Sequence, residues 1–527
     1  MKYIYIFTIF IFAKEIVADA PCATRYMNSS LVCVCNATYC DTITREEPAV
    51  GYYVTYTTSK SGLRLSKNGG QIEKKDLQGE DGNFGKVLKL DTNRTYQTVE
   101  GFGGSVTDAA GINWRSLPKA AQQYLIDSYF SKDGIEYNMI RVPCGSSDFS
   151  THFWAYNESP TRDEKLSNFK LAREDIKYKV PMIQACMKAA TSEVHVISST
   201  WSPPKWMLDE ERPSGFRSVK EEFYQVFAEY SCKFAELYKT QGISIWGMSA
   251  VNEPLLPNMV GVKKETMFWT VPEMAKFIGE HFGPTMRNCP VEGIRLLGVE
   301  DQRFTVPLWF NELVYNNNDA IKYIDGVAVH FYRDDDTSPA VFSRALRKYP
   351  DKFAIATEAC ADLAKGASWE GAKKYILDIL EDLNYNLVGW IDWNMCLNKK
   401  GGPNWMNVFA NSPIIVDAKK KEFYKQSMYY VLGQFSKFIP RGSQRIKVLR
   451  TTPHPDPNLD FQDIEARGQE FFDNAAFLTP RSTVVVIIYN EGPSQTTAIQ
   501  YGDQQISILL EEESITTVEF PYQDLTC

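Results

Sequence analysis

The chain has 527 residues, of which 44% are hydrophobic and 13% aromatic, so it has ample apolar material for a large buried core and is not a disordered protein. Its 57 basic and 65 acidic residues give a net charge of -8, which argues against nucleic acid as a partner. The sequence pI of about 5.5 means that this charge shrinks in an acidic compartment, which would ease approach to an anionic membrane surface.

Residues 1–20 are typical of a secretory signal. Lys2 precedes a mainly apolar run from Tyr3 to Ala13, and Ala18-Asp19-Ala20 forms a small-x-small cleavage pattern. The run is too short to span a bilayer, and we find no uninterrupted apolar run of spanning length later in the chain. We therefore expect residues 1–20 to be removed and the mature protein to be soluble.

Four of the eleven cysteines lie close together after this segment, and such density predicts disulfides. Of the three possible pairings we prefer Cys22 with Cys33 and Cys35 with Cys40. Zinc is the competing interpretation, but none of the five histidines joins a ligand-spaced cluster, so no metal site is expected. The other seven cysteines are predicted to be mostly buried thiols: Cys144, Cys186, Cys232, Cys289, Cys360, Cys396 and Cys527.

Four Asn-X-Ser/Thr tripeptides are acceptors for N-linked glycans in a chain that enters the secretory route. Such tripeptides also arise by chance, so the sequence alone does not say which are used. The candidate acceptors are Asn28, Asn36, Asn93 and Asn157.

Both ends of the chain are rich in strand patterns. Neither end has enough strands for a sandwich alone, so we predict that the two ends pair into one β-sandwich domain formed by residues 47–94 plus about 446–527. The strand-like segments are Tyr52–Tyr56, Val87–Leu90, Thr483–Tyr489, Ile506–Leu510 and Thr516–Phe520.

Between the ends, strand-like and helix-like segments alternate, which is typical of a parallel α/β sheet. Amphipathic helices, such as Pro118–Phe130 and Glu221–Thr240, fall between several strands. We predict a (β/α)8 TIM barrel from residues 95–394 plus about 431–445, and a small disulfide-bonded β subdomain from residues 21–46 plus about 395–430. The eight strands are Val99–Ser105, Tyr137–Val142, Val194–Ser198, Ile245–Val251, Ile294–Val299, Ile324–Val329, Phe353–Thr357 and Leu387–Ile391.

In such a barrel the residues that follow the strands share one face, where barrel enzymes carry their chemistry. Here they combine aromatic rings, carboxylates and amides, which suits a sugar site. We expect Trp201 and Trp393 to face a ligand. The full set is Thr107, Asp108, Arg141, Trp201, Asn252, Glu253, Glu300, Asp301, His330, Tyr332, Glu358, Asp392, Trp393 and Asn394.

Several members of this set have simpler interpretations. Asp108 could be the N-cap of the helix that follows it. Arg141 fits a structural ion pair that orients a neighbouring carboxylate better than a direct substrate contact. His330 could equally be a hydrogen-bonded core histidine, and residues 300–303 resemble a salt-bridged loop more than part of a site.

Two carboxylates form the central hypothesis, because Glu253 ends the fourth strand and Glu358 the seventh, near opposite sides of one barrel mouth. Asn252-Glu253-Pro254 alone could as well be a strand that ends in a solvated acid. Retaining glycoside hydrolysis needs one protonated and one ionised carboxyl group, ~5 to 5.5 Å apart. A partly buried Glu253 near Glu358 would have a raised pKa, which suits the acid.

The chain resembles glycoside hydrolase family 30 through most of its length, and only the region after about Arg445 departs broadly. The resemblance lies in motifs from every barrel segment and from the N-terminal cysteines. They are CVCNATYCD, GFGG, TDAA, IRVP, DFS, SPP, NEP, RLL, DQR, AVH, EAC, DWN, GGPNW, SPIIVD, FYKQ and FSKFIP.

The resemblance implies a retaining β-glucosidase with Glu253 as acid/base and Glu358 as nucleophile, and it implies the two disulfides named above. It further implies glucosylceramide as substrate, the lysosome lumen as location, an anionic membrane surface, help from a saposin-type activator, and no cofactor. The predicted substrate-binding residues are Asp108, Arg141, Trp201, Asn252, His330, Tyr332 and Trp393.

Three segments depart from the family, one at a sugar contact and two in loops that leave the aglycone open. Val408 stands where family members have an asparagine that touches the sugar, the loop Cys360–Trp369 is shorter than in vertebrate members, and the loop Leu255–Trp269 differs in sequence. The alternatives are a β-glycosidase acting on another glucoside, a galactoside or a xyloside, and an inactive secreted glycan- or lipid-binding homologue. Retention of both glutamates argues against the inactive homologue.

Overall fold

The computed structural model describes residues 19–27, 30–75, 84–158, 162–209, 216–255, 267–317, 319–362, 366–450 and 473–522. Its strands are β1 (Thr24–Met27), β2 (Ser30–Cys35), β3 (Tyr52–Ser59), β4 (Ser66–Gln71), β5 (Glu73–Lys74), β6 (Lys86–Thr98), β7 (Gly101–Ser105), β8 (Met139–Cys144), β9 (His195–Thr200), β10 (Leu208–Asp209), β11 (Ser218–Val219), β12 (Ile245–Ser249), β13 (Arg295–Gln302), β14 (Gly326–His330), β15 (Phe353–Glu358), β16 (Leu387–Asp392), β17 (Cys396–Asn398), β18 (Ile414–Asp417), β19 (Glu422–Lys425), β20 (Gln444–Arg450), β21 (Asn474–Leu478), β22 (Thr483–Asn490), β23 (Gln495–Tyr501), β24 (Gln504–Leu510) and β25 (Ser514–Pro521).

The α-helices follow the barrel strands and pack around them. They are α1 (Asp108–Arg115), α2 (Lys119–Phe130), α3 (Val180–Ala189), α4 (Tyr224–Thr240), α5 (Val271–Lys276), α6 (Gly283–Arg287), α7 (Val306–Asn316), α8 (Ala320–Tyr323), α9 (Ala340–Leu346), α10 (Trp369–Asn384) and α11 (Ser427–Ser436). The predicted helix Glu221–Thr240 begins with a 3-10 turn at Glu221–Phe223 before α4.

Eight parallel strands close into a barrel in the order β7, β8, β9, β12, β13, β14, β15, β16. All eight predicted strands are present, which confirms the TIM barrel. The barrel interior is filled by one apolar side chain from most strands, because a strand covered on both faces must bury both of its side-chain rows. These side chains are Met139, Ile197, Leu297, Ala328, Ile355 and Ile391.

A ten-stranded β domain joins the two ends of the chain in the order β4, β3, β25, β22, β21, β20, β6, β23, β24, β5. Tyr52–Ser59 pairs with Ser514–Pro521, and Lys86–Thr98 pairs with both Gln444–Arg450 and Gln495–Tyr501. This is the predicted β-sandwich, built from both chain ends. Residues 451–472, between β20 and β21, lie outside the described residues.

A five-stranded sheet forms the small N-terminal subdomain, in the order β1, β2, β19, β18, β17. Both disulfides of the preferred pairing are present in it, Cys22–Cys33 and Cys35–Cys40. The exact limits of the three predicted domains stay predictions, although the helix α11 begins at Ser427, slightly before the expected boundary near residue 431.

The prediction for the remaining cysteines was wrong at one pair, because Cys232 in α4 and Cys289 after α6 form a third disulfide. Their Cα atoms lie 5.8 Å apart, since packing of the two helices brings together residues that are 57 positions apart in sequence. Cys144, Cys186 and Cys396 are buried free thiols, and Cys360 is a partly buried one. Cys527 lies outside the described residues.

The signal segment and one sequon also fall mainly outside the described residues, since residues 1–18 and Asn28 are not described. Asn93 is exposed in the structure, and Asn36 is partly exposed. Asn157 is only 6% exposed and its Nδ2 donates to the carbonyl of Asp163, so the fold presents this asparagine poorly to solvent. Among helices in the described ranges, none combines the length and the hydropathy needed to cross a bilayer.

Candidate active site

Glu253 lies just beyond strand β12, at the carboxyl end of the barrel. Its backbone N–H donates to the carbonyl of Glu300 at 2.9 Å, so the segment is fixed to the end of the neighbouring strand. Glu253 has a φ of 44°, a left-handed conformation that costs free energy in a non-glycine residue and that clusters at functional sites. The residue is 6% exposed, and its side chain reaches into the mouth of the barrel, where it meets His330.

Glu358 is the last residue of β15 and is 4% exposed. The hydroxyl of Tyr332 donates to its Oε1 at 2.7 Å, and the guanidinium of Arg141 forms an ion pair with its Oε2. One carboxylate oxygen of Glu358, one of Glu253 and one ring nitrogen of His330 lie within 4.8 Å of one another. The fold therefore brings the two predicted carboxylates together.

The environment of Glu253 favours its protonated form. Burial raises the pKa of Glu253 and the charge of Glu358 adds to the rise, whereas the hydrogen bond from His330 opposes it. The Nε2 of Gln302 also donates to Oε1 of Glu253 at 3.0 Å. Glu253 thus has the electrostatic setting of a general acid.

His330, at the end of β14, is completely buried between two carboxylates. Its Nδ1 lies 2.8 Å from Oε1 of Glu253 and its Nε2 lies 3.1 Å from Oε1 of Glu300. Burial lowers the pKa of His330, but Glu358, Glu253 and Glu300 more than offset that effect and raise it to about 10. The imidazole is therefore a cation with both N–H groups directed at acids.

Arg141, in β8, is the second buried cation of the site and fulfils the ion-pair interpretation. Its Nη2 donates to Glu300 at 2.6 Å and to Oδ1 of Asn252 at 2.7 Å, and its Nη1 bonds to Glu358. The guanidinium of Arg141 therefore holds both the amide of Asn252 and the carboxylate of Glu358 in fixed positions. When Glu253 holds a proton, the positive charges of Arg141 and His330 balance the negative charges of Glu300 and Glu358.

The two tryptophans predicted to face a ligand, Trp201 and Trp393, stack on each other, with ring centroids 5.0 Å apart and an interplanar angle of 4°. The guanidinium carbon of Arg141 lies 4.6 Å from the ring centroid of Trp201 and 5.1 Å from that of Trp393. The rings are almost fully buried. They form one wall of the site and support Arg141 by cation–π contact.

Asp108 opens helix α1, directly after β7, and is 3% exposed. Its Oδ2 accepts from Oγ of Ser150 at 2.7 Å and from Nε1 of Trp154 at 2.8 Å. Thr107 caps the helix, because its hydroxyl accepts from the N–H of Ala110, so the N-cap interpretation of Asp108 was wrong. The carboxylate is instead held in position at the barrel mouth by hydrogen bonds from two side chains.

The sequence pattern favours a salt-bridged loop at residues 300–303, but the structure places Glu300 inside the site, bonded to Arg141 and His330. Strand β13 continues to Gln302, with an irregular register between Val299 and Asp301, and Glu300 has a φ of 51°. Burial would raise the pKa of Glu300, but Arg141 and His330 lower it to about 2, with Thr357 donating a further hydrogen bond. The signal available in the sequence was its position directly after the predicted fifth strand.

Asp301 is a further buried acid beside Glu253. It accepts backbone hydrogen bonds from Leu255 and Gln302 at 2.9 Å and 2.7 Å. Burial, reinforced by the charge of Glu253, raises its pKa to about 7. Asp301 thus fixes the segment that follows Glu253.

One group of three side chains in the site has metal-ligand atoms close together, namely Glu253, His330 and Glu358. Both nitrogens of this histidine face carboxylate oxygens, and the pKa of about 10 leaves the ring protonated at neutral pH. A protonated imidazole has no lone pair for a metal ion. The donor set therefore fits acid–base chemistry.

The structure describes parts of the three segments in which this chain departs from the family. Val408 is 60% exposed on the outer surface of the loop after β17. In the shortened loop after Glu358, Asp362 pairs with Ala410 by a β-bridge, while residues 363–365 lie outside the described part of the chain. Most of the loop Leu255–Trp269 also lies outside it.

Comparison with known proteins agrees with this geometry. The Glycosyl hydrolase family 30 TIM-barrel domain model matches residues 99–439, and the Glycosyl hydrolase family 30 beta sandwich domain model matches residues 442–518. Lysosomal acid glucosylceramidase of Mus musculus is 36% identical over 502 residues, which cover 93% of each chain. Putative glucosylceramidase 3 of Caenorhabditis elegans is 38% identical over 426 residues, covering 79% of this chain and 81% of the relative.

A solved structure extends the likeness in fold. SrfJ from Salmonella typhimurium superposes with a TM-score of 0.78 at 22% sequence identity, covering 90% of this chain and all of the other. At this identity the likeness concerns the fold alone. The family models and the two curated relatives show that the chain belongs to glycoside hydrolase family 30 and is a glycosidase.

Proposed function

We propose that this glycosidase is a retaining β-glucosidase that hydrolyses glucosylceramide to glucose and ceramide. The observation that carries the proposal is the proximity of Glu253 and Glu358, whose closest carboxylate oxygens lie within 4.8 Å. Retaining enzymes hold their carboxyl groups ~5 to 5.5 Å apart, whereas inverting enzymes need ~6.5 to 9.5 Å for a water molecule. The names of the curated relatives support the substrate.

In the first step, an oxygen of Glu358 attacks the anomeric carbon of the glucose. The bond between that carbon and the ceramide oxygen breaks, its electron pair stays on the oxygen, and Glu253 donates the proton that forms the ceramide hydroxyl. Tyr332 and Arg141 contact Glu358 and hold it in one orientation. The product of this step is a glucosyl ester of Glu358.

In the second step, Glu253 acts as a base. It takes a proton from a water molecule while the water oxygen attacks the anomeric carbon, and the ester bond breaks with its electron pair returning to Glu358. Because both displacements invert the anomeric carbon, the released glucose keeps the β configuration. His330 contributes by stabilising the ionised form of Glu253 between the two steps.

The sugar ring is proposed to lie between Asp108 and Asn252, near the wall formed by Trp201 and Trp393. The carboxylate of Asp108 and the amide of Asn252 are both fixed by buried hydrogen bonds, so they can bind sugar hydroxyls without first being ordered. The aromatic wall supplies apolar surface for the ring C–H groups. Tyr332 and Arg141 act chiefly through Glu358.

We propose that the enzyme works at acidic pH in the lysosome lumen, on the surface of an anionic membrane and with a saposin-type activator. The raised pKa of Glu253 supports acidic operation, because the first step needs its protonated form. Three disulfides and an exposed sequon at Asn93 fit a chain of the secretory route. The first curated relative carries the words lysosomal and acid in its name.

A substrate panel tests the proposal. The purified chain is assayed at about pH 5 with fluorogenic β-glucoside, β-galactoside and β-xyloside, and with glucosylceramide in mixed vesicles. We expect the β-glucoside to be turned over with the highest kcat/KM and glucosylceramide to yield free ceramide. Preference for the xyloside or galactoside, or initial release of α-glucose seen by NMR, would reject the assignment.

A further inference from the structure

Gln302 is a buried glutamine at the end of β13 and lies outside the set of predicted site residues. It is 2% exposed, and Nε2 of its side-chain amide donates to Oε1 of Glu253 at 3.0 Å. Within the described part of the chain, no group donates to the amide oxygen of Gln302. Buried amides usually fill more of their hydrogen-bonding capacity than this. The side-chain hydrogen bond that this amide does make goes to the proposed acid/base.

An irregularity in β13 directs this amide into the site. The strand keeps a regular register with β14 up to Val299 and then skips Glu300, so that Gln302 pairs with His330. The left-handed φ values of Val299 and Glu300, 69° and 51°, belong to this irregularity. One extra residue moves every later side chain to the other face of a strand. Without it, Asp301 would lie opposite His330, and a carboxylate would take the place of the amide.

His330 approaches the same oxygen of Glu253 as Gln302 does. Its Nδ1 lies 2.8 Å from Oε1 of Glu253, and its Nε2 faces Glu300. Oε1 of Glu253 therefore accepts two hydrogen bonds, one from a charged imidazole and one from a neutral amide. Among the described residues, the hydrogen bonds to this carboxyl group all end on Oε1 and none on Oε2.

This asymmetry decides which oxygen of Glu253 can hold a proton. A hydrogen on Oε1 would point at the N–H groups that donate to that oxygen, which is repulsive. A hydrogen on Oε2 meets no such donor. Protonated Glu253 therefore has Oε1 as its carbonyl oxygen and Oε2 as its hydroxyl oxygen, and Oε1 stays an acceptor in both protonation states.

The amide also affects how readily Glu253 ionises. Burial raises the pKa of Glu253, and the hydrogen bond from His330 opposes the rise. An ionised oxygen is a stronger acceptor than a carbonyl oxygen, so the amide of Gln302 adds a second opposing hydrogen bond without adding charge. Replacing Gln302 by an apolar residue removes this bond and none of the charged groups around Glu253. Those groups are Arg141, Glu300, Asp301, His330, Tyr332 and Glu358.

We propose that Gln302 is a positioning residue of the acid/base. Together with His330 it keeps Oε1 of Glu253 as a permanent acceptor, so that Oε2 alone donates and receives the transferred proton. The inference rests on the proposed function, since it needs Glu253 to act as acid and then as base. In the first step the proton passes from Oε2 to the leaving oxygen, which keeps the electron pair of the broken glycosidic bond. In the second step Oε2 takes a proton from the attacking water.

Gln302→Met tests this role, because methionine keeps the length of the side chain and removes the donor. The pKa of Glu253 should rise when the hydrogen bond to its ionised form is lost. We expect the alkaline limb of kcat/KM for an alkyl β-glucoside to move to higher pH by about half a unit to one unit. Initial rates between pH 4 and 8 measure the limb. A limb that stays in place would overturn the proposal.

Gln434→Met is the matched control. Gln434 is a fully buried glutamine of α11 whose side chain bonds to Thr58 and Thr517 of the β domain. Its replacement removes the same amide from the interior at a place remote from Glu253. We expect a lower melting temperature and an unchanged alkaline limb. Equal shifts of the limb in both variants would assign the change to general loosening of the fold and contradict the positioning role.

A substrate whose leaving group needs no proton separates the two steps. With dinitrophenyl β-glucoside, kcat/KM reports formation of the glucosyl ester without acid assistance, and kcat reports its hydrolysis, which needs ionised Glu253. For Gln302→Met at about pH 5 we expect kcat to fall about threefold while kcat/KM stays unchanged. Added azide needs no base and should restore kcat. An equal loss in kcat and kcat/KM would show a general distortion of the site and reject the role of Gln302.

Gln302→Asn keeps the test decisive if the methionine variant does not fold. Asparagine retains an amide but is one methylene shorter, so its donor no longer reaches Oε1 of Glu253. We expect its alkaline limb to move in the same direction as that of Gln302→Met. A folded asparagine variant with the wild-type limb would count against the proposal as strongly as an unmoved limb in the methionine variant.

The identity of the sugar is decided separately from the role of Gln302. Preference of the wild type for a β-galactoside or a β-xyloside would reject the proposed function, and the same pH profiles recorded on that sugar would still decide the role of the amide. A wild type that prefers β-glucosides, with an alkaline limb that Gln302→Met does not move, would overturn the positioning role and leave the proposed function standing.

Discussion

Oε1 of Glu253 and Nδ1 of His330 lie 2.8 Å apart in the completely buried centre of the site. His330 therefore contacts the proposed acid, Glu253, through one ring nitrogen and Glu300 through the other. This arrangement makes the proton affinity of Glu253 depend on a carboxylate that does not bond to it directly. Glu300 is a positioning residue: it orients His330 and Arg141, and its negative charge acts on Glu253 through them.

Replacing Glu300 with glutamine should lower the pKa of Glu253, because it removes a negative charge next to the His330–Arg141 pair while both cations remain. The first step needs protonated Glu253, so the alkaline limb of the pH profile of kcat/KM should move to lower pH by about one unit. Initial rates with a fluorogenic β-glucoside between pH 4 and 8 measure this shift.

Thr357→Val is the control for that shift, since it removes the 2.9 Å hydrogen bond to Glu300 without removing charge. We expect its alkaline limb to stay in place even if thermal stability falls. A profile of Glu300→Gln that differs from the wild type only in height would assign this residue a purely structural role.

Glu358→Ala should abolish turnover, with a loss on the order of 10⁴-fold or more, because no ester can form. It should also abolish covalent labelling by a cyclitol epoxide, which intact-protein mass spectrometry detects as one added inhibitor mass. Glu253→Gln serves as the folded comparison. Labelling that persists on another residue of the Glu358→Ala variant would sink the assignment of the nucleophile.

Glu253→Gln should slow substrates with poor leaving groups by ~10²- to 10⁴-fold, while substrates with activated leaving groups lose less in the first step. Added azide needs no base and should restore turnover by attacking the glucosyl ester. The product should be a β-glucosyl azide, identified by its anomeric proton coupling in NMR. An α-glucosyl azide would contradict the double displacement.

Arg303 is buried among four carboxylates and should make stability depend on pH. Its guanidinium lies 2.8 Å from Glu381 and from Asp382, and 3.6 Å from Asp378, with Asp334 as the fourth partner. Burial, only partly offset by this single cation, raises the pKa of these carboxyl groups, that of Glu381 to about 7.

Because the folded pKa of Glu381 lies above its unfolded value, the folded chain keeps a proton that the unfolded chain releases. The free energy of unfolding should therefore fall as the pH rises from about 4 to 7. We expect Glu381→Gln/Asp382→Asn to reduce the loss between pH 5 and 7.5 by about 2 kcal/mol in urea titrations. The exposed pair Glu229→Gln/Glu280→Gln should leave the loss unchanged.

The disulfide Cys232–Cys289 closes a segment of 57 residues and should stabilise the fold by about 4 kcal/mol through loop closure. Cys232→Ala/Cys289→Ala should therefore unfold at lower temperature than the wild type in differential scanning calorimetry. The buried free thiol variant Cys186→Ala provides a comparison for loss of packing alone. An unchanged melting temperature in the double variant would show that loop closure by this bridge does not stabilise the fold.

The barrel and the pair of glutamates followed from the sequence because strand patterns and chain position are local properties. Each predicted strand ends near its observed end, so sequence position alone puts Glu253 and Glu358 on one face of the barrel. The role of Glu300 does not follow from the sequence. An irregular strand register and left-handed backbone angles direct its side chain inwards, and a hydrophobic pattern shows neither of these features.

Other features depend on tertiary packing, which a sequence pattern does not reveal. Cys232 and Cys289 have no ligand-like or loop-like spacing, and only the contact between two outer helices brings them together. Trp201 and Trp393 come from different strand ends, and their mutual stacking depends on the shape of the closed barrel. Sequence patterns assign such residues to a face but do not say which neighbour each one meets.

The sandwich built from both chain ends has a consequence for the order of folding. Tyr52–Ser59 pairs with Ser514–Pro521, so an early strand must wait until more than 450 later residues have been synthesised. Until then its edge is unpaired and exposed to other chains, which is the condition under which β-strands aggregate. Small truncations that shorten β25 should therefore lower the yield of folded chain before they affect the chemistry of the barrel.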